Sequence, residues 1–227
     1  MNFDFSVIEN SLPYLWKGMV YTIELTTIAT VGGLFFGTLL ALARLSSLKP
    51  LSLVATGYIN LMRSIPLVLV LFWFFFLMPV VLQAMTGAER PPLIGADRTA
   101  IITFIMFEAA YFAEIMRAGI QSISRGQVSA AYALGLTYPQ AMTKVVLPQA
   151  FRNMLPVLLT QTIILFQDTS LVYVISGTDF LGAASKIAQR DSRLIEMYTF
   201  AALVYFLISF TLSLVIKRLQ KRIAVIR

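Results

Sequence analysis

The 227-residue sequence contains no cysteine and no histidine, and only 13% of its residues are charged. Without cysteine there is no disulfide frame and no thiolate site; without histidine, imidazole metal sites and histidine bases are excluded too. A soluble domain carries roughly 25% charged residues, so about half the usual solvating side chains are missing. No segment has the form G-x-x-x-x-G-K-[ST], which excludes a Walker-type nucleotide cradle. What fills the chain is apolar: 58% hydrophobic residues and a mean hydropathy of +0.80. The apolar residues gather in runs of about 20, long enough to cross ~30 Å of hydrocarbon as helix. The composition predicts an all-α membrane protein.

Five stretches predict five transmembrane helices, over 18–43, 53–82, 98–118, 149–176 and 194–216, within a single permeating domain covering 1–227. The second is too long for one straight span, since thirty residues make ~45 Å of helix. Arg63-Ser64-Ile65-Pro66 lies inside it, and Pro66 removes a backbone donor, so a kinked or broken helix is expected there. Asp4 and Glu9 stand where a signal peptide is cationic, and no small-residue cleavage site ends the first span. The first helix is therefore expected to stay in the mature protein.

Basic residues set the expected orientation. An odd number of spans puts Arg44, Lys49, Arg117, Arg125, Lys144, Arg152, Lys217, Arg218, Lys221, Arg222 and Arg227 on one side, in segments without Asp or Glu. The opposite side holds Lys17, Arg90, Arg98, Lys186, Arg190 and Arg193 beside seven acids. The first side is expected to be cytoplasmic, with the N-terminus outside and the C-terminus inside. The net charge of +7 then reflects topology and anionic-lipid contact of the tail rather than a nucleic-acid partner.

The inner connection, 119–148, is too apolar for a disordered linker and too interrupted for a sixth span. Ser129-Ala130-Ala131-Tyr132-Ala133-Leu134 are good helix formers followed by Gly135, placed as a helix C′ glycine. Thr137-Tyr138-Pro139-Gln140 reads as an N-cap, an early proline and a capping-box glutamine. Two short helices joined by a turn are predicted.

This segment resembles the cytoplasmic signature of bacterial ABC importer permeases: Glu-Ala-Ala, three residues, Gly, nine residues, Ile, any residue, Leu-Pro. Here Ser129-Ala130-Ala131, Gly135, Val145, Leu147 and Pro148 stand at those spacings, with Ser129 for the Glu and Val145 for the Ile. Glu108-Ala109-Ala110 spells the motif literally but lies in an apolar span without the glycine. Glu114-x-x-Arg117-Ala118-Gly119-Ile120-Gln121, Leu147-Pro148-Gln149-Ala150-Phe151-Arg152, Asp168-Thr169-Ser170-Leu171, Arg63-Ser64-Ile65-Pro66-Leu67 and Met106-Phe107-Glu108-Ala109-Ala110-Tyr111 extend the likeness. They resemble the polar amino-acid (histidine/glutamine/glutamate-type) branch, and within it the glutamate/aspartate import permeases.

The resemblance implies a type I importer (MetI-like) permease fold in the bacterial inner membrane, carrying polar, acidic amino acids. It implies no enzymatic activity and no cofactor on this chain, with ATP and Mg held by a dimer of separate ATP-binding subunits. The other implied partners are a second permease, expected as a heterodimer, a periplasmic amino-acid-binding protein and membrane lipid. It assigns coupling to the ATP-binding subunit to Ser129, Ala130, Ala131, Gly135, Leu147 and Pro148; an amphipathic hairpin on the lipid surface is the plainer alternative.

Ionisable groups in hydrocarbon are costly, which marks Glu24, Arg63, Glu108 and Asp168. Asn153, Thr160 and Gln167 recur every seven residues, as do Gln161 and Asp168, so each set shares a helix face. Such a face meets protein or water. The expected substrate path comprises Arg63, Glu108, Gln161, Gln167 and Asp168, interhelical packing being the competing reading; for Asn153 and Thr160 packing is favoured. Arg63 offers a guanidinium fork to a carboxylate, or snorkels to the interface, or pairs with Asp168. Glu114 and Arg117 form an i, i+3 pair. An ion-gradient-driven transporter or channel is the alternative function, though no internal repeat supports it; a non-transporting assembly protein is a third.

Overall fold

Helices account for every regular element among the described residues, 5–223 of the computed structural model. In chain order they are α1 (Ser6–Arg44), α2 (Lys49–Ser64), α3 (Leu67–Thr86), α4 (Ala96–Gln121), α5 (Arg125–Ala133), α6 (Tyr138–Ile175), α7 (Phe180–Arg190) and α8 (Leu194–Ile223). Five of these, α1, α3, α4, α6 and α8, are long and apolar enough to cross a membrane. Asp4, used in the signal-peptide argument, and Arg227 of the basic tail lie outside the described residues.

The differences from the sequence ranges have local causes. α1 begins at Ser6 rather than near Gly18, because its first turns bury Ile8 and Leu15 against α7 and α8. The range 53–82 is two helices. Steric conflict with the proline ring drives the preceding residue out of the helical region: Ile65 is extended (φ −114°, ψ 136°), so α2 ends and α3 forms the span. The fourth range starts earlier, at Tyr138, because the helix runs through Pro148 without breaking. A π turn over Met142–Val146 widens the backbone just ahead of that proline, and a second over Trp73–Leu77 precedes Pro79. A π turn accommodates the missing donor and the ring that a regular turn would meet.

α1 and α4 pack most tightly. A Cβ on Gly33 would stand 2.9 Å from the Glu108 Cβ, and one on Gly37 2.9 Å from the Ala109 carbonyl oxygen. Two glycines a turn apart thus let the backbones approach as small-residue faces do in membranes. Beside this seam Leu25, Ala29, Val70, Leu71, Phe104, Leu165 and Val172 form a core shared by α1, α3, α4 and α6. The run Phe72–Phe76 divides between it and the outside, with Phe72, Phe74 and Phe75 packed inward and Trp73 and Phe76 exposed.

The connection between the last two spans contains a buried helix, α7, which hydropathy does not reveal. Asp179 caps it, accepting from the Leu181 and Gly182 amides at 2.9 and 3.2 Å, while Thr22 accepts from the Phe180 amide at 3.0 Å. Burial pushes the Asp179 carboxyl up to about 7, against the opposing pull of those amides and of Lys186.

Candidate functional site

The break before Pro66 ends α2 with Arg63 in its last turn and opens a cavity of about 470 Å³. Arg63, Ile65 and Pro66 line one side, Phe107 and Tyr111 of α4 another, and Asp168 and Leu171 of α6 a third. The Arg63 guanidinium lies 5.7 Å from the Tyr111 ring centre, within reach of a cation–π attraction. Arg63 and Asp168 share the cavity without forming an ion pair with each other.

One turn further along α4, Glu114 is surrounded by guanidinium groups. Arg117 reaches it from the same helix with Nη2–Oε1 at 2.5 Å and Nε–Oε2 at 3.1 Å. Arg44, at the end of α1, contributes Nη1–Oε2 at 2.5 Å, and Arg63 Nη1 stands 3.7 Å from Oε1. The i, i+3 pair expected from sequence is present within a larger cluster. Arg63 stands beside Glu114 and the Tyr111 ring, with its side chain 37% exposed. Glu114 also lines a second cavity of about 290 Å³ with Ala118 of α4, Ser122 just past its end, and Asn153 and Val157 of α6.

The remaining path candidates separate. Glu108 is fully buried and does not line the larger cavity; Gln161 Nε2 donates to both of its oxygens at 3.2 Å. This pair joins α4 to α6, while Gly33 of α1 packs against the Glu108 Cβ. Gln167 is exposed and outside the cavity lining. It continues a stripe of exposed residues along α6: Asn153, Val157, Thr160, Ile164 and Gln167. Asn153 donates to Ser122 Oγ at 2.8 Å and Thr160 to the Pro156 carbonyl at 2.8 Å. Glu24, on α1, is exposed. A further cavity of about 380 Å³ between α1, α2 and α4, lined by Phe36, Leu39, Tyr58 and Met106, holds no charged side chain and suits hydrocarbon.

On the connection between the third and fourth spans, 119–148, α5 ends as the sequence predicts. Gly135 adopts φ +77°, the left-handed conformation glycine reaches without strain, and the Leu136 amide returns to the Ala131 carbonyl at 3.1 Å. The Thr137 amide donates to Gln140 Oε1 at 2.9 Å, the predicted reciprocal cap. Among the described residues, nothing would meet a Cβ on Gly135 within 4 Å. Ser129, Ala130, Leu147 and Pro148 are exposed, whereas Ala131 is buried and holds the turn together. Sequence reasoning missed the apolar ridge beside them: Leu134 is 82% exposed and Tyr138 65%, with Tyr132 adjoining. It also missed Tyr111 as a cavity wall, whose only signal is its spacing one turn before Glu114.

Residues 33–225 match the family described as binding-protein-dependent transport system inner membrane component. The chain is 53% identical over 222 residues to the glutamate/aspartate import permease protein GltK of Escherichia coli O6:H1, covering 98% of this chain and 99% of that protein. It is 30% identical over 223 residues to the arginine transport system permease protein ArtQ of Bacillus subtilis, covering 98% of each. Among solved structures, an amino acid ABC transporter crystallised with histidines superposes with a TM-score of 0.88 at 32% identity, over 98% of this chain and all of that one. The inward-facing MetNI methionine ABC transporter shares the fold, with a TM-score of 0.74 at 19% identity over 96% of this chain and 99% of that one.

Proposed function

The chain belongs to the binding-protein-dependent transport system inner membrane components, and from that premise we propose that it forms half of the membrane pathway of an ATP-driven importer of acidic amino acids. Membership of an importer permease family displaces the ion-gradient and assembly-protein readings. The observation that carries the substrate assignment is the joint lining of one cavity by Arg63 and Asp168. An amino acid is a zwitterion. Arg63 offers its α-carboxylate a bidentate fork, Asp168 accepts from the α-ammonium, and Tyr111 and Phe107 wall the carbon skeleton. The cationic surroundings supplied by Arg44 and Arg117 favour a second, side-chain carboxylate, in keeping with the name of the 53% identical relative.

The cavity and the polar stripe of α6 are open on one side of the chain. The polar members of that stripe, Asn153, Thr160 and Gln167, are unsuited to lipid, so a second permease covers it, a different chain in the arrangement we favour. The stripe descends from Gln167 past Thr160 to Asn153 at the smaller cavity, a drop of ~21 Å at ~1.5 Å per residue, and substrate follows it inward.

ATP and Mg belong to a pair of separate ATP-binding subunits. They dock on the inner connection through Leu134 and Tyr138 together with Ser129, Ala130 and the open side of Gly135, supported by Ala131, Leu147 and Pro148. A periplasmic binding protein delivers the amino acid at the outer face, where the N-terminus lies; the basic segments and C-terminus face the cytoplasm. The test is purification of the tagged chain from its native membrane in mild detergent, followed by ATPase assay in proteoliposomes. Co-purification of an ATP-binding subunit and a second permease, with ATPase activity stimulated by glutamate-loaded binding protein, supports this function. A chain that purifies alone contradicts it.

A further inference from the structure

Glu114 stands between the two cavities on the α4–α6 face: it lines the inner one, and its most distant cation, Arg63, lines the other. A carboxylate has about four lone-pair positions. Arg117 occupies two of them and Arg44 a third, at 2.5 to 3.1 Å. Arg63, 3.7 Å away, is beyond hydrogen-bond distance and is held by charge alone. Its fork therefore stays open to another carboxylate, and its side chain is 37% exposed.

We infer that Glu114 is a positioning residue for Arg63, competing with the substrate carboxylate for the guanidinium and reclaiming it as the amino acid leaves toward the inner cavity. The inference rests on the substrate role proposed for the Arg63–Asp168 cavity. Three guanidiniums around one carboxylate leave a net positive cluster, so an arriving anion is still attracted. Without Glu114 the same three cations would hold that anion too firmly to release it. A purely structural ion-pair hub makes the opposite prediction, since loosening it disorders Arg63 and weakens binding.

The experiment is equilibrium binding of radiolabelled L-glutamate to the purified complex of permeases and ATP-binding subunits, without binding protein. Glu114→Gln tightens binding by about fivefold, the upper end for an incompletely buried ion pair, and slows uptake at saturating substrate. Glu114→Asp keeps the charge for Arg117 but retracts it from Arg63, so it shifts binding in the same direction even if the glutamine variant fails to assemble. Arg63→Ala abolishes binding, and adding Glu114→Gln to it changes nothing further. Unchanged or weaker binding in both Glu114 variants, with Arg63→Ala still deficient, overturns the competition and leaves the cavity assignment standing. Unchanged binding in Arg63→Ala overturns both.

Discussion

Glu108 and Glu114 lie on the same helix less than two turns apart, yet they occupy opposite environments. Glu108 is sealed between α1, α4 and α6, and its contacts are the Gln161 amide and the closely packed Gly33. Glu114 gathers Arg44, Arg63 and Arg117 at the edge of an opening. A buried carboxylate joined by an amide to the next helix fixes that helix in place. A partly buried carboxylate shared among three cations has spare charge around it and is suited to exchange partners. Charge in a membrane helix thus does not by itself fix a carboxylate's surroundings; its neighbours do.

The largest expected effect comes from opening the sealed side. Gly33→Leu drives a side chain into the Glu108 Cβ and the Phe112 ring, an overpacking of about 1–3 kcal/mol or more. The variant should lose its monodisperse peak in size-exclusion chromatography. Next, Glu108→Ala leaves the Gln161 amide without an acceptor, at about 1–3 kcal/mol, and should lower the unfolding temperature by several degrees. Glu108→Gln still accepts from Gln161 and should remain close to the parent in both unfolding and uptake. If Glu108→Gln abolishes uptake in a chain of normal stability, Glu108 belongs to the path.

A third carboxylate sharpens the contrast from outside the spans. Asp179 has its folded value raised to about 7 by burial, so the unfolded chain loses this proton at lower pH than the folded one. The associated stability is fully present below about pH 4 and is lost as pH rises toward and through about 7. The unfolding temperature should fall by a few degrees over that window, and Asp179→Asn should flatten the dependence. The smallest effect belongs to the partly buried hub: Arg44→Ala removes one of three cations on Glu114 and should cost about 1 kcal/mol, read as a shift of a few degrees in unfolding temperature.

Much of this fold is written locally. Apolar run length gives the five spans, Pro66 gives the break after Arg63, and Gly135 with Thr137 and Gln140 gives the turn between α5 and α6. Each follows from residues within a turn or two of one another. The buried helix α7 was not legible, because its signal is burial against α1 and α8 rather than hydropathy. The site was half legible. Arg63 and Asp168 stand out as charges in apolar sequence, but the joining of Arg44 and Arg63 to Glu114 depends on how three helices cross. Glu108 illustrates the reverse: its charge drew attention, while the close packing at Gly33 that encloses it lies on another helix.

The most direct test is uptake of radiolabelled L-glutamate by proteoliposomes containing the assembled importer, comparing Arg63→Ala with the parent while ATPase activity is followed in the same vesicles. Uptake should fall at least about tenfold, the scale of one lost charge-assisted hydrogen bond at 1.5–3 kcal/mol, while ATPase stimulation by loaded binding protein persists. Undiminished uptake by Arg63→Ala would contradict the assignment of this cavity to the amino acid.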